Sequence, residues 1–178
     1  MTDLRYGELE QELRGTVREM LSSQSPPEQV LARCESGDPY DPKLWRTLAA
    51  EMGLTGLAVP ERHGGGGAGW REVAVVLEEL GRVVAPVPYL GSAVVATATL
   101  QLVEDRSLLT ELATGATTAA LAVPFATAPG GPEVTVRAAG GALTGTVRGV
   151  ADALHADVLL VPTGDGLYAV AADAPGVG

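Results

Sequence analysis

Residues 109–123 read LTELATGATTAALAV, and the periodicity of the apolar residues changes within this stretch. Before Gly115, apolar residues recur every three to five positions, as they do on one face of an α-helix. After Gly115, short apolar runs follow a period of two and are bounded by glycine. Because helices come first and strands second, this order predicts an α+β fold rather than alternating βαβ units. We therefore predict an N-terminal α-helical bundle as a domain over residues 1–115, followed by an antiparallel β-domain over residues 116–178.

Six helices are predicted before Gly115 from apolar stripes at helical spacing. Asp3, Ser25 and Asp41 precede three of these stripes and are the predicted N-caps, with proline opening the second and third helices. The polar residues of the fourth helix, Glu79 among them, are predicted to face solvent. The predicted helices span about residues 3–21, 26–37, 42–53, 70–82, 90–102 and 107–114.

Five short strands are predicted after Gly115, separated by turns in which glycine tolerates a positive φ. A short extended segment is also predicted at residues 57–60, within the helical part. The predicted strands span residues 118–123, 134–138, 142–147, 158–162 and 167–171, and the turns lie at residues 130–131, 140–141 and 164–166. A β-unit of this size is expected to leave strand edges and an apolar face that need a covering partner.

Composition excludes several classes of function. The net charge of −10 argues against nucleic acid as a partner, because phosphate binding needs clustered lysine and arginine. The apolar runs are well short of the ~20 residues that span a bilayer, so no membrane segment is expected. The single cysteine, Cys34, excludes an internal disulfide, and only His63 and His155 are left for metal chemistry. No signal peptide is visible at the N-terminus, and we expect a cytoplasmic protein without a metal.

The glycine run at residues 64–69, GGGGAG, formally matches the dinucleotide-binding pattern GxGxxG. That pattern binds a pyrophosphate only where a buried strand precedes it and an acidic residue follows about 20 positions later. Here only the short segment 57–60 precedes the run, and the acids that follow are too close. We predict a structural turn that binds no phosphate.

The remaining reactive and aromatic side chains do not form a catalytic constellation. His63 has no local nucleophile or second acid to work with, and His155 lies in a predicted turn. Cys34 has no neighbouring lysine or histidine, so it is predicted to be an inert, partly buried thiol. Trp45 and Trp70 are predicted to serve the core or an interface. The residues alone therefore indicate only an acidic α+β protein.

The order of segments, however, resembles the first part of the flavin-dependent acyl-CoA dehydrogenase family. Residues 44–66, LWRTLAAEMGLTGLAVPERHGGG, are similar to the family's leucine-tryptophan and alanine-valine-proline-glutamate passage, and residues 76–81, VLEELG, to the helix after it. Residues 141–150, GALTGTVRGV, and 156–161, ADVLLV, resemble its β-domain. The resemblance implies a helical domain followed by a β-domain, with the family's C-terminal helical domain absent from residues 1–178.

The resemblance also implies where FAD would lie, and there the family motifs are degenerate. In the family, the first β-domain strand ends in Thr-Glu-Pro and a later segment reads Trp-Ile-Thr; their counterparts here are AVPFA at residues 122–126 and GVA at residues 149–151. The ring-facing hydroxyls and the aromatic wall are therefore missing. The family's catalytic glutamate lies in the C-terminal helical domain, so no catalytic residue is expected in this chain. The implied cofactor contacts are Leu121, Ala122, Gly149 and Ala151.

Three hypotheses follow for function. The first is an acyl-CoA dehydrogenase that oxidises an acyl-CoA thioester with FAD, of which this chain is a fragment or subunit without the catalytic base. The second is a non-catalytic structural partner in a heteromeric dehydrogenase, with FAD bound mainly by the other chain. Heteromeric enzymes of steroid side-chain degradation, in which one subunit has degenerate flavin motifs, favour this second hypothesis. The third is an unrelated α+β binding module. The first two imply a homo- or hetero-oligomer with a dehydrogenase-like subunit.

Overall fold

A computed structural model describes residues 5–103, 108–127, 131 and 134–178. Helical segments come first and strands second, which confirms the predicted α+β fold class. The α-helices are α1 (Glu8–Gln24), α2 (Pro27–Cys34), α3 (Pro42–Arg46), α4 (Trp70–Arg82), α5 (Thr97–Leu102) and α6 (Leu109–Thr114). The π-helical segments Thr47–Glu51 and Tyr89–Ala96 continue α3 and precede α5 without a break. Short 3-10 turns occupy Leu54–Gly56, Glu61–His63 and Ala153–His155. The strands are β1 (Ala119–Leu121), β2 (Arg137–Ala139), β3 (Ala142–Thr144), β4 (Val158–Pro162) and β5 (Leu167–Ala171).

The strands form a three-stranded sheet, in the order β1-β4-β5, and a separate two-stranded hairpin, β2-β3. Within the larger sheet β4 and β5 are antiparallel, but β1 and β4 are parallel, with Ala119 paired to Val158. The sheet is therefore mixed rather than wholly antiparallel, because the chain leaves β1, makes the hairpin and returns to run alongside β1. Strands β4 and β5 have the predicted bounds, whereas β1 and β3 are shorter than predicted and β2 is shifted towards its turn.

Two apolar clusters hold the helices and the sheet together. The first joins α1, α3 and α4, with Val17, Trp45 and Val76 among its buried members. The second packs the helices that precede the sheet against it, with Leu112 of α6 and Leu160 of β4 among its buried members. Burial of a leucine or valine side chain contributes about 1.5–3 kcal/mol. The division into domains at residue 115 stays a prediction.

Helix starts follow local signals, with two shifts. The first helix is predicted from about residue 3, but α1 begins at Glu8, because the Glu10 carboxylate accepts from the amide of the N-cap Gly7 at 2.9 Å. Asp41 caps α3 as predicted, because its Oδ1 accepts from the amides of Lys43 and Leu44 at 3.0 Å each. Ser25 was predicted to cap α2, but Pro26 occupies the N-cap position and the helix begins one residue later, at Pro27. The predicted cap Asp3, the first residue of the predicted sixth helix at 107 and the turn residue at 130 lie outside the described residues.

Two predictions from the helical part are wrong. Residues 57–59 form turns rather than an extended segment. The carbonyls of Leu57 and Val59 accept from the amides of Ala68 and Gly67 in the glycine run that follows, which holds the turns. Glu79 was predicted to face solvent, but it is 1% exposed, because Arg18 of α1 and Arg82 of α4 pair with its carboxylate at 2.6 and 2.9 Å.

Removing the Asp41 cap is expected to lower the free energy of unfolding. Asp41→Ala leaves the amides of Lys43 and Leu44 without their acceptor, at a cost of about 1 kcal/mol. Asp41→Asn keeps an acceptor oxygen and loses only the ion pair with Arg33, which is partly exposed and therefore weak. Urea titration should rank wild type, Asn and Ala in that order, with Asn close to wild type. An Asn variant as unstable as Ala would show that the ion pair matters more than the cap.

Candidate functional site

The structure joins the two segments that hold the four predicted cofactor contacts. Leu121 and Ala122 lie at the end of β1, and Gly149 and Ala151 lie in the connection from β3 to β4. The amide of Phe125 donates to the carbonyl of Gly149 at 2.8 Å, so the two segments are directly joined. We call residues 121–126 and 149–151 the predicted cofactor segments.

The predicted cofactor segments present an apolar surface with few groups that could hydrogen-bond a cofactor. None of their side chains carries a hydroxyl, an acid, an amide or a base. Three backbone amides, those of Ala122, Val123 and Phe125, already donate to carbonyls of the chain, at 2.8 Å each. A flavin ring therefore finds apolar surface at Leu121, Ala122, Gly149 and Ala151, but no side-chain hydrogen bond. These residues do not fit a complete FAD site.

An apolar cavity of about 270 Å³ opens beside these segments. Ala122 lines it, and so does Val150, which lies between Gly149 and Ala151. The other walls come from the hairpin β2-β3, strands β4 and β5 and the C-terminal residues 176–178. Its lining is mainly aliphatic, so it is suited to an apolar or aromatic group and not to a phosphate.

Asp152 follows the second cofactor segment and has no counterpart in the sequence-based predictions. Its Oδ2 accepts from the amide of Gly91, in the π-helical segment Tyr89–Ala96, at 2.7 Å. Burial raises the pKa of Asp152, and the Gly91 hydrogen bond and nearby His155 oppose that shift. The sequence contains only a weak indication of this contact, namely that aspartate is one of the few residues that tolerate a positive φ. Asp152 has a φ of 58°.

The same connection makes further contacts with the helical part and with β1. The His155 ring stacks on Tyr40, with ring centroids 5.1 Å apart. Asp157 Oδ2 accepts from both the amide and the hydroxyl of Thr118, at 2.8 Å each. His155 lies in the 3-10 turn Ala153–His155, which agrees with the predicted turn position. These contacts assign His155 a packing role.

The glycine run is a structural turn, as predicted. The amides of Gly66, Gly67 and Ala68 donate to the carbonyls of Gly56, Val59 and Leu57 at 2.8–2.9 Å. These donors are used within the chain and do not point together at a phosphate. That the run binds no phosphate stays a prediction.

The other residues considered above lie apart from the site. Trp45 is buried and donates its indole N–H to the carbonyl of Gly115 at 3.1 Å, whereas Trp70 is half exposed at the start of α4. Cys34 is exposed at the end of α2, so its predicted partial burial is wrong, because no residue of this short helix is buried. His63 lies in the turn before the glycine run. Over the described ranges, no three histidine, cysteine or acidic side chains are grouped to hold a metal ion. No helix in those ranges is both long and apolar enough to cross a bilayer.

Comparison with known proteins gives consistent matches. Residues 7–105 match the acyl-CoA dehydrogenase N-terminal domain family. The chain is 42% identical over 104 residues to "Acyl-CoA dehydrogenase IpdE2" of Mycolicibacterium smegmatis, an alignment that covers 58% of this chain and 33% of the relative.

Solved structures extend the similarity to the strands. The ChsE4-ChsE5 complex from Mycobacterium tuberculosis matches with a TM-score of 0.82 and 31% identity, over 99% of this chain and 50% of the matched one. The Tcur3481-Tcur3483 steroid ACAD G363A variant matches with a TM-score of 0.78 and 36% identity, over 96% and 50%. The chain spans a third to a half of the length of these proteins.

Proposed function

Because this chain belongs to the acyl-CoA dehydrogenase family, we propose that it is part of a subunit of a heteromeric acyl-CoA dehydrogenase. In this enzyme a second, dehydrogenase-like subunit supplies most FAD contacts and the catalytic base. The proposal rests on one observation. At the place where the family motifs predict the flavin ring, Leu121, Ala122, Gly149 and Ala151 carry no polar side chain. The alternative, a subunit that binds FAD by itself, would need its side-chain hydrogen bonds from residues outside the predicted cofactor segments.

The reaction sets what the partner must contribute. Dehydrogenation of an acyl-CoA thioester begins with removal of the α-proton by a positioned base. FAD, when bound, supplies the acceptor for the hydride from the β-carbon. The predicted cofactor segments hold no acid or base for the proton. This chain's own part is to present an apolar wall, formed by Ala122 and Val150, and to exclude water from it.

Two structural matches support a hetero-oligomer. Both ChsE4-ChsE5 and Tcur3481-Tcur3483 are named as pairs of chains. We also propose that the chain acts in the cytoplasm, and that residues 1–115 and 116–178 are its two domains.

The proposal is tested by purifying the protein that carries this chain, both alone and after co-expression with a dehydrogenase-like subunit encoded beside it. Flavin absorbance, solution mass and acyl-CoA turnover are measured on both samples. We expect flavin and turnover in the co-expressed complex, and neither in the protein alone. Turnover by the protein alone, or a monodisperse monomer that neither binds FAD nor recruits the second subunit, would overturn the proposal.

A further inference from the structure

A second cavity, of about 600 Å³, lies between the end of α1, helix α2 and the end of α4. Its volume falls in the range of about 300–1,000 Å³ that is usual for small-molecule sites. Aliphatic side chains form much of its wall, Val30, Leu31 and Val83 among them, and it shares no lining residue with the cavity beside the predicted cofactor segments. We call this space, lined from residues 22–34 and 82–84, the α2 cavity.

Helix α2 leaves its apolar side chains to this cavity. None of its residues is buried, and Leu31 is 59% exposed. The helix is held instead by Arg33, which donates from Nε to Asp41 at 3.0 Å and from Nη1 to the carbonyl of Tyr40 at 2.6 Å. Because polar contacts hold the helix, its apolar face is available to a ligand.

Ser25 brings an unused hydroxyl to the α2 cavity. The residue is only 5% exposed, and it does not cap α2, because Pro26 occupies the N-cap position. Within the described part of the chain its hydroxyl makes no hydrogen bond. It is also not among the unpartnered atoms that are sealed from solvent, so it opens onto the cavity that Ser25 lines. A polar ligand atom that enters the cavity can therefore hydrogen-bond to it.

The charge of the α2 cavity favours an anion, although the net charge of the chain is −10. Arg82 is the one charged residue among the described residues that line the cavity. Its Nε donates to Glu79 at 2.9 Å, and its other nitrogens donate to no described residue. Glu79 also pairs with Arg14 and Arg18, so it does not fully neutralise Arg82. A guanidinium with available N–H groups is a preferred partner of a carboxylate.

Val84 gives a further indication from the backbone. Its φ of 51° is a left-handed conformation that a β-branched residue rarely adopts, and glycine is usual at this position after a helix. The residue is 68% exposed and lines the cavity. Strained residues of this kind cluster at functional sites, ligand clamps included.

From these observations we infer that the α2 cavity binds an apolar monocarboxylate, a molecule with one carboxylate on a hydrocarbon body. Arg82 holds the carboxylate, and the Ser25 hydroxyl donates a second hydrogen bond to it. Val30, Leu31 and Val84 cover the hydrocarbon body. This site is separate from the proposed dehydrogenation and does not depend on FAD.

The probe is decanoate, added to the protein that carries this chain, and the control is decylamine, which has the same hydrocarbon chain and the opposite charge. Cys34 lines the cavity and reports occupancy through its rate of alkylation by iodoacetamide, followed on the Cys34 peptide by mass spectrometry. The decanoate concentration that halves this rate gives the Kd of this site, whatever else the protein binds. At about ten times that Kd, decanoate should slow alkylation about tenfold by mass action, and decylamine should not.

Two matched pairs of variants test the polar residues. Ser25→Ala removes the unpartnered hydroxyl, whereas Ser22→Ala, also at the cavity, removes one that already donates to the Arg18 carbonyl at 2.7 Å. Arg82→Gln and Arg18→Gln each break one ion pair of Glu79, but only Arg82 lines the cavity. We expect the Kd to rise about fivefold in Ser25→Ala and about tenfold or more in Arg82→Gln, and to stay within about twofold in both controls.

Val84→Gly separates binding from stability. It relieves the left-handed backbone, so the urea midpoint should not fall, while the Kd should rise about threefold through the lost apolar contact. Equal protection of Cys34 by decanoate and decylamine, an unchanged Kd in Arg82→Gln, or no protection by either probe would overturn the proposal. Protection of Cys34 by the second subunit in the co-expressed complex, without any probe, would also overturn it, because the cavity would then be a subunit interface.

Discussion

Replacing Gly65 with alanine is expected to lower the free energy of unfolding by about 3 kcal/mol, the upper range for overpacking a closely packed site. A Cβ at this position would lie 2.6 Å from the carbonyl oxygen of Gly56 and closer still to the carbonyl oxygen and Cβ of Val59. The two carbonyl oxygens are backbone atoms of the turn that the glycine run closes, so they cannot move aside without breaking its hydrogen bonds. The measurement is urea unfolding followed by circular dichroism.

Gly66 provides the matched control for this substitution. A Cβ there would meet its nearest atom, the Leu57 carbonyl oxygen, at 3.5 Å, which is ordinary van der Waals contact. Gly66→Ala should therefore change the free energy of unfolding by less than about 1 kcal/mol, in either direction. Equal losses at Gly65 and Gly66 would mean that backbone flexibility, and not close approach, is what this run requires.

Replacing Glu79 with glutamine is the second substitution with a large expected effect. The Glu79 carboxylate is buried between α1 and α4 and is paired with Arg18, Arg82 and Arg14. Glutamine keeps the volume and removes the charge. We expect a loss of about 2 kcal/mol, below the usual value for breaking a buried pair because Arg18 and Arg82 are half exposed and stay hydrated. Glu78→Gln, at an exposed neighbour, should cost much less.

The effect of Glu79 should depend on pH in a defined direction. Hydrogen bonding from Arg18, and then from Arg82, lowers the pKa of Glu79 from 4.5 to about 2. A carboxyl whose pKa is lowered on folding stabilises the native state above its unfolded-state pKa, and this stabilisation is lost as the pH falls towards the native pKa. The difference in unfolding free energy between wild type and Glu79→Gln should thus be full near pH 7 and shrink between pH 4.5 and 2. A difference that is constant over this range would contradict the assignment.

The parts of the fold that could be predicted from sequence are those set by local signals. Helix α4 has its predicted bounds, Trp70–Arg82, because a strong apolar stripe lies between a glycine run and a basic last turn. The cap at Asp41 followed from an aspartate before a proline, and strands β4 and β5 from alternating apolar runs on either side of a glycine turn.

The parts that could not be predicted depend on residues distant in sequence. Glu79 has the polarity of a surface residue, and its burial depends on Arg14 and Arg18 of the distant helix α1 as well as on Arg82 of its own helix. The contact of Asp152 with Gly91 joins two segments that no local pattern relates. For the predicted cofactor segments, family resemblance gave their positions in the sequence, while the structure added that the amides of Ala122, Val123 and Phe125 already donate within the chain.

The parallel pairing of β1 with β4 has a consequence for the order in which the chain folds. Ala119 cannot pair with Val158 until the hairpin and the connection after it have left the ribosome. Closing so long a loop also costs chain entropy before any hydrogen bond between the two strands forms. Helices α1, α3 and α4 precede β1 and can form their own apolar cluster during that time. The start of the Tyr89–Ala96 segment makes hydrogen bonds with both Ala119 and Asp152. This helical segment is therefore in place before the sheet forms and can position its strands.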